Sequence, residues 1–145
     1  MEVSNLTQKM FELPYQFAVP DILYYEELAE EHDNLLEYGL IMKTLSSKSI
    51  RYVDEILYQY PKIGFYDKLA LATAKQESCP LVTGDGALRK AGQKEAVVIF
   101  GTVWLIDELI SHSIITINEA RDAYALMKVS GRRLPWKLIE ERLSF

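Results

Sequence analysis

The reading of the fold turns on Phe65-Tyr66-Asp67-Lys68-Leu69-Ala70-Leu71-Ala72-Thr73-Ala74-Lys75 and, after a short connection, Cys79-Pro80-Leu81-Val82-Thr83-Gly84-Asp85-Gly86-Ala87-Leu88-Arg89-Lys90-Ala91. Alanine and leucine dominate the first half, so residues 66–77 read as a helix of strong helix formers. Residues 80–83 form a short apolar strand. Gly84-Asp85-Gly86 then turns the chain into a short basic helix through Arg89 and Lys90. Helix, strand, turn and helix in this order make one period of an alternating α/β chain.

Downstream, Ala96-Val97-Val98-Ile99-Phe100 is a continuous apolar run, the pattern of a strand buried in a parallel sheet. Thr102 can cap a helix over 103–112. Thr116 with Glu119 forms a capping box for a helix to about Ser130; Gly131 closes it and Pro135 opens a last one.

Upstream, Ser46 or Ser47 opens a helix to about Tyr60, with Ile50, Val53, Ile56 and Leu57 as its buried stripe, ended by Pro61 and Gly64. Gly39 sets off a candidate strand at 40–45, and 16–20 is another, bounded by prolines. A helix from about Asp21 carries Ile22, Tyr25, Leu28 and Ala29 on one side, with the charged stretch 26–33 as its extension or exposed end. Ser4 or Asn5 can cap a first short helix bearing Leu6, Met10 and Leu13, which Pro14 stops. The expectation is an α/β three-layer sandwich with a mostly parallel central sheet and extra C-terminal helices at about 102–145, in a single domain over 1–145.

The composition, 49% hydrophobic and 26% charged over 145 residues, is that of a globular domain large enough for a real core. A formal net charge of −5 argues against broad, salt-driven coating of a nucleic-acid backbone, yet leaves room for a short strand gripped by a local basic patch. The lone Cys79 rules out an intramolecular disulfide and reads as a small residue buried beside a strand. There is neither a run of about 18 apolar residues nor a signal-peptide pattern, so the expected setting is cytoplasmic, with no membrane contact.

In open α/β sheets the functional crevice lies at the carboxyl ends of the strands. That rule directs attention to 21–27 and to Asp85. Glu27, or its neighbour Glu26, follows one strand by about two helical turns; Asp67 opens a helix; Asp85 sits just beyond another strand. Singly, each has an ordinary explanation: a solvated helix face, a favourable helix-dipole charge, and a turn or helix cap. Together they send carboxylates from independent elements toward one end of one sheet.

The 65–91 segment resembles the PIN domain signature: an Asp opening an Ala-rich helix, an apolar strand, Thr-x-Asp and a helix starting Leu-Arg. Phe17 to Pro20 and Tyr25-Glu26-Glu27-Leu28 resemble the family's second strand and Glu-bearing helix, and 102–135 its helical tail in a prokaryotic toxin-like subgroup. The resemblance implies a Mg²⁺- or Mn²⁺-dependent nuclease that cuts single-stranded RNA. It assigns Glu27, Asp67 and Asp85 as catalytic and metal-binding residues, and Thr83 as a substrate-proximal hydroxyl. Such a site works because hard cations take carboxylate oxygens, neutralise the phosphate and activate a bound water. Arg89 and Lys90, or Arg132 and Arg133, are candidate phosphate contacts. A homodimer and an antitoxin protein are implied partners, and the tyrosines at 24, 25, 58 and 60 are candidate interface aromatics.

The family pattern opens with a strand ending in Asp, and this sequence begins where the family already enters its first helix. The expectation is therefore weak metal binding and low activity. A start codon upstream of Met1, a true truncation whose strands close over the gap, and a strand borrowed from a partner copy are three accounts of the difference. The alternative function is a non-catalytic PIN-like binding or dimerisation module. Receiver-like and phosphatase-like domains are disfavoured, since no strand leads into Asp-Asp or Asp-x-Asp.

Overall fold

A computed structural model describes residues 6–32 and 34–143. The candidate caps Ser4 and Asn5, and Asp33 of the charged stretch, lie outside the described residues. The chain divides into two compact units, one of residues 16–101 and the other combining 1–15 with 102–145.

The first unit carries the four strands found among the described residues. β1 (Ala18–Pro20) pairs in parallel with β2 (Ile41–Lys43), with Ala18 opposite Ile41, and β3 (Leu81–Val82) pairs in parallel with β4 (Ile99–Phe100), with Leu81 opposite Ile99. The protein is thus a mixed α/β chain with short parallel strands. Among the described residues the ladders form two separate two-stranded sheets.

The helices alternate with them. α2 (Asp21–Leu23) runs directly into a π-helical turn, Tyr24–Leu28, and α3 (Asn34–Tyr38) leads into β2. α4 (Ser47–Ile56) starts at Ser46, whose hydroxyl accepts the Ser49 N–H at 3.2 Å. α5 (Phe65–Glu77) leads to β3, and α6 (Gly86–Lys94) to β4.

α5 is the organising element. Leu71 and Ala74 enter a cluster with Ile56, Ile63, Leu88, Ala91 and Val97, whereas Leu69 and Ala72 enter another with Leu45 and Val53. A helix buried on two sides shows little amphipathic contrast, as its Ala/Leu-rich sequence does. α5 also packs against α4, β1 and β3. Burying a leucine such as Leu71 contributes roughly 1.5–3 kcal/mol. Gly92 lets α6 lie close on β4: a Cβ there would stand 2.5 Å from the Ile99 Cδ1.

Several readings of burial need correction. Ile22 and Tyr25 are exposed, Tyr25 by 65%, and Tyr24 is the buried residue instead. A π turn carries an extra residue per hydrogen-bonded loop, so the expected i, i+3 face is rotated. Ile50 is exposed while Ser49, Val53 and Ile56 are buried. The 96–100 run is not buried throughout: Ala96 adopts φ 63° and Val98 is exposed. Cys79 is exposed as well, because Ser78, at φ 51°, turns the chain out of α5.

The second unit is helical. α1 (Thr7–Met10) packs on α7 (Thr102–Ser111), which packs on α8 (Ile117–Val129); α9 (Trp136–Leu143) follows. The Thr116/Glu119 capping box is present, the Thr116 hydroxyl accepting the Glu119 N–H at 3.1 Å and Glu119 accepting the Thr116 N–H at 3.2 Å. Gly131, at φ 80°, follows the end of α8 in the left-handed conformation that glycine adopts without strain. Tyr124 is fully buried, edge-on to Trp136 at 6.3 Å. Among the described residues no helix is long and apolar enough to cross a membrane.

Candidate active site

Pro20 ends β1, and the next residue, Asp21, is occupied locally. Its carboxylate accepts the Ile22 N–H and the Thr44 hydroxyl, both at 2.8 Å, tying the exit of β1 to that of β2. Further along, the π turn gives two consecutive acids different tasks. Glu26 accepts a short hydrogen bond from the Tyr66 hydroxyl. Glu27 lines a cleft of about 320 Å³ with Leu23, Gly64, Tyr66 and Asp67.

Asp67 occupies the first turn of α5, where a negative charge suits the helix dipole. Its carboxyl is nevertheless raised above its ordinary value, first by burial and then by the charge of Asp85. Asp67 therefore links the two other acids, sharing a cleft with Glu27 and an electrostatic coupling with Asp85. Tyr66 is pushed up to about 12 by its hydrogen bond to Glu26, by burial, and by the charges of Glu26 and Glu27, so it is a neutral donor at physiological pH.

Asp85 sits in the loop after β3. Its side chain accepts the Ala87 N–H at 3.3 Å as the cap of α6, and its own N–H donates to the Thr83 hydroxyl at 3.1 Å. The ordinary role as a helix cap is therefore realised, and it fixes the side chain near Asp67. Arg89 follows one turn later. A Cβ on Gly101, just beyond β4, would lie 2.8 Å from the Arg89 guanidinium and 3.5 Å from the Thr83 carbonyl, so the cation rests at the carboxyl end of the β3–β4 ladder. Lys90 is exposed on α6. Arg132, in the helical unit, donates to the Thr102 hydroxyl at 3.3 Å, and Arg133 is exposed there.

The sequence matches the family model described as a PIN domain over residues 3–145. The chain belongs to the PIN-domain family. No curated protein and no solved structure matches it.

Within this PIN domain, two of the three acids assigned from sequence line one cleft and the third acts on one of them through its charge. Among the described residues, no three His, Cys, Asp or Glu side chains are grouped so as to surround an ion. Sequence reasoning missed Tyr66 and Gly64 as cleft residues. Both lie just before Asp67 in the chain, which was their one available signal; the Glu26–Tyr66 bond spans 40 positions and left none.

Proposed function

We propose that this PIN domain is a Mg²⁺- or Mn²⁺-dependent endoribonuclease acting on single-stranded RNA, with Glu27, Asp67 and Asp85 as its acidic residues. The observation that carries the reading is that Asp67 lines one cleft with Glu27 and is raised in part by the charge of Asp85.

The donor set suits the ion. Mg²⁺ takes hard oxygen ligands, keeps several waters, and is commonly held by one or two carboxylates together with substrate phosphate oxygens. When bound, such an ion neutralises the phosphate and supplies an activated water. Glu27 and Asp67 are the residues to hold it. Asp85, kept in place by the Ala87 N–H and the Thr83 turn, adds negative charge beside them. Arg89, at the strand end, is the phosphate contact, with Lys90 beside it on α6. The resemblance of 102–135 to the tail of a toxin-like subgroup extends the proposal to a homodimer and a protein antitoxin, for which the exposed Tyr25 and Tyr58 are available surface.

The test is cleavage of single-stranded RNA in Mg²⁺ or Mn²⁺ by the wild-type chain and by Asp85→Asn. Cleavage lost in the variant supports the nuclease; equal cleavage by both, or none by either, overturns it. The second reading, a binding module without catalysis, is favoured by the lack of a three-ligand group among the described residues. It predicts a melting temperature indifferent to Mn²⁺.

A further inference from the structure

The cleft beside the acids has features that ion binding alone does not require. Leu23, Gly64 and Tyr66 line it along with Glu27 and Asp67, and Tyr66 also packs against the buried cluster of Leu45, Val53, Leu69 and Ala72. A Cβ built on Gly64 would meet nothing within 4 Å, so the missing side chain leaves open space at that corner. The Tyr66 ring is held rather than free, because its hydroxyl is committed to Glu26. Phe65, 49% exposed, stands beside it with ring centroids 5.8 Å apart and planes at 65°.

We propose that this cleft is a docking subsite for one unpaired nucleobase of a single strand, stacked on the Tyr66 ring in the space that Gly64 leaves open. The inference deepens the nuclease reading and rests on it for the neighbouring phosphate, which the carboxylates reach only through a cation. A fixed aromatic face accepts any base, because every base has a π-face, and so confers preference for single strands rather than for a sequence. A duplex must first unstack and unpair the base, which disfavours it at this site. Glu26 is here a positioning residue, acting through the Tyr66 hydroxyl.

The experiment titrates a short single-stranded RNA carrying one 2-aminopurine with the full chain in Mg²⁺ on ice, strand integrity being checked on a gel. Stacking on Tyr66 is expected to quench the probe in the single strand and not in the same strand annealed to its complement. Tyr66→Phe keeps the ring but loses its tie to Glu26, and should quench less than wild type and more than Tyr66→Leu. Tyr66→Leu and Gly64→Leu should lose the quench and bind about tenfold more weakly, with circular dichroism unchanged. Equal quenching by Tyr66→Leu, equal binding of duplex, or no binding of any strand overturns the subsite. Quenching without any cleavage upholds the subsite and removes the nuclease; cleavage with wild-type behaviour in both leucine variants does the reverse.

Discussion

Burial, and then the charge of the Asp85 carboxylate, raise the Asp67 carboxyl above its ordinary value. A folded-state value above the unfolded one, about 3.9, means that the native chain binds the extra proton. The contribution of this group to stability therefore declines as pH rises from that value through the folded one. Asp67→Asn removes the titration. Thermal melts in EDTA should show the variant gaining on wild type as pH rises from about 4 to neutrality. A difference in melting temperature that stays flat across that range would contradict the coupling.

A divalent cation should relieve the same repulsion. At about 100 times its dissociation constant, Mn²⁺ stabilises a one-site protein by about 2.7 kcal/mol, several degrees for a chain of this size. The rise is expected in wild type, reversed by EDTA, and lost in Glu27→Gln and Asp67→Asn.

Arg89 is expected to act through charge. Each phosphate contact on a single strand contributes about 0.7 to the slope of log affinity against log salt. Arg89→Ala should therefore flatten that slope by about that amount and weaken binding at low salt. Filter binding across a salt series checks both, and an unchanged slope would exclude Arg89 as a phosphate contact.

Away from the cleft, Glu95 is a polar tie between helices. It accepts the hydroxyls of Tyr52 and of Tyr60, the latter at 2.6 Å, and lies 3.8 Å from the Lys75 ammonium, which stacks over the Tyr52 ring at 4.6 Å. Burial pushes the Glu95 carboxyl up, but the two hydroxyls and Lys75 together bring it below its usual value. Its stabilisation is then present above the unfolded glutamate value, about 4.3, and lost as pH falls through the folded one. Glu95→Gln should cost about 1–2 kcal/mol at neutral pH and flatten the acid limb of the stability curve. Urea unfolding at several pH values measures both effects.

Thr116→Ala breaks the capping box of α8 and is expected to cost about 1 kcal/mol, or a few degrees in melting temperature. Thr116→Ser should restore most of it, since serine presents the same hydroxyl acceptor.

What was legible in the sequence was local. Thr116 and Glu119 lie three residues apart, so their reciprocal bonds can be read from spacing, and Asp85 beside glycine announces a turn and a cap. Asp67 was legible because α5 is long and rich in alanine and leucine. What escaped depended on distant partners or on departures from ideal period. A 3.6-residue period puts Tyr25 on one side with Ile22 and Leu28, where the chain instead makes a π turn, and the Tyr66–Glu26 and Asp21–Thr44 bonds join residues tens of positions apart. Cys79 looked buried by type, yet the backbone at Ser78 carried it to the surface.

The π turn also sets how this region can change. Removing one residue between Asp21 and Leu28 would let the segment close into ordinary α-helical hydrogen bonding, with the residues after it keeping nearly the same orientation about the axis. The change would fall inside the turn, on the spacing by which Glu26 holds Tyr66 while Glu27 lines the cleft with Asp67. The extra residue of the turn therefore sets where Glu26 and Glu27 stand relative to Tyr66 and Asp67.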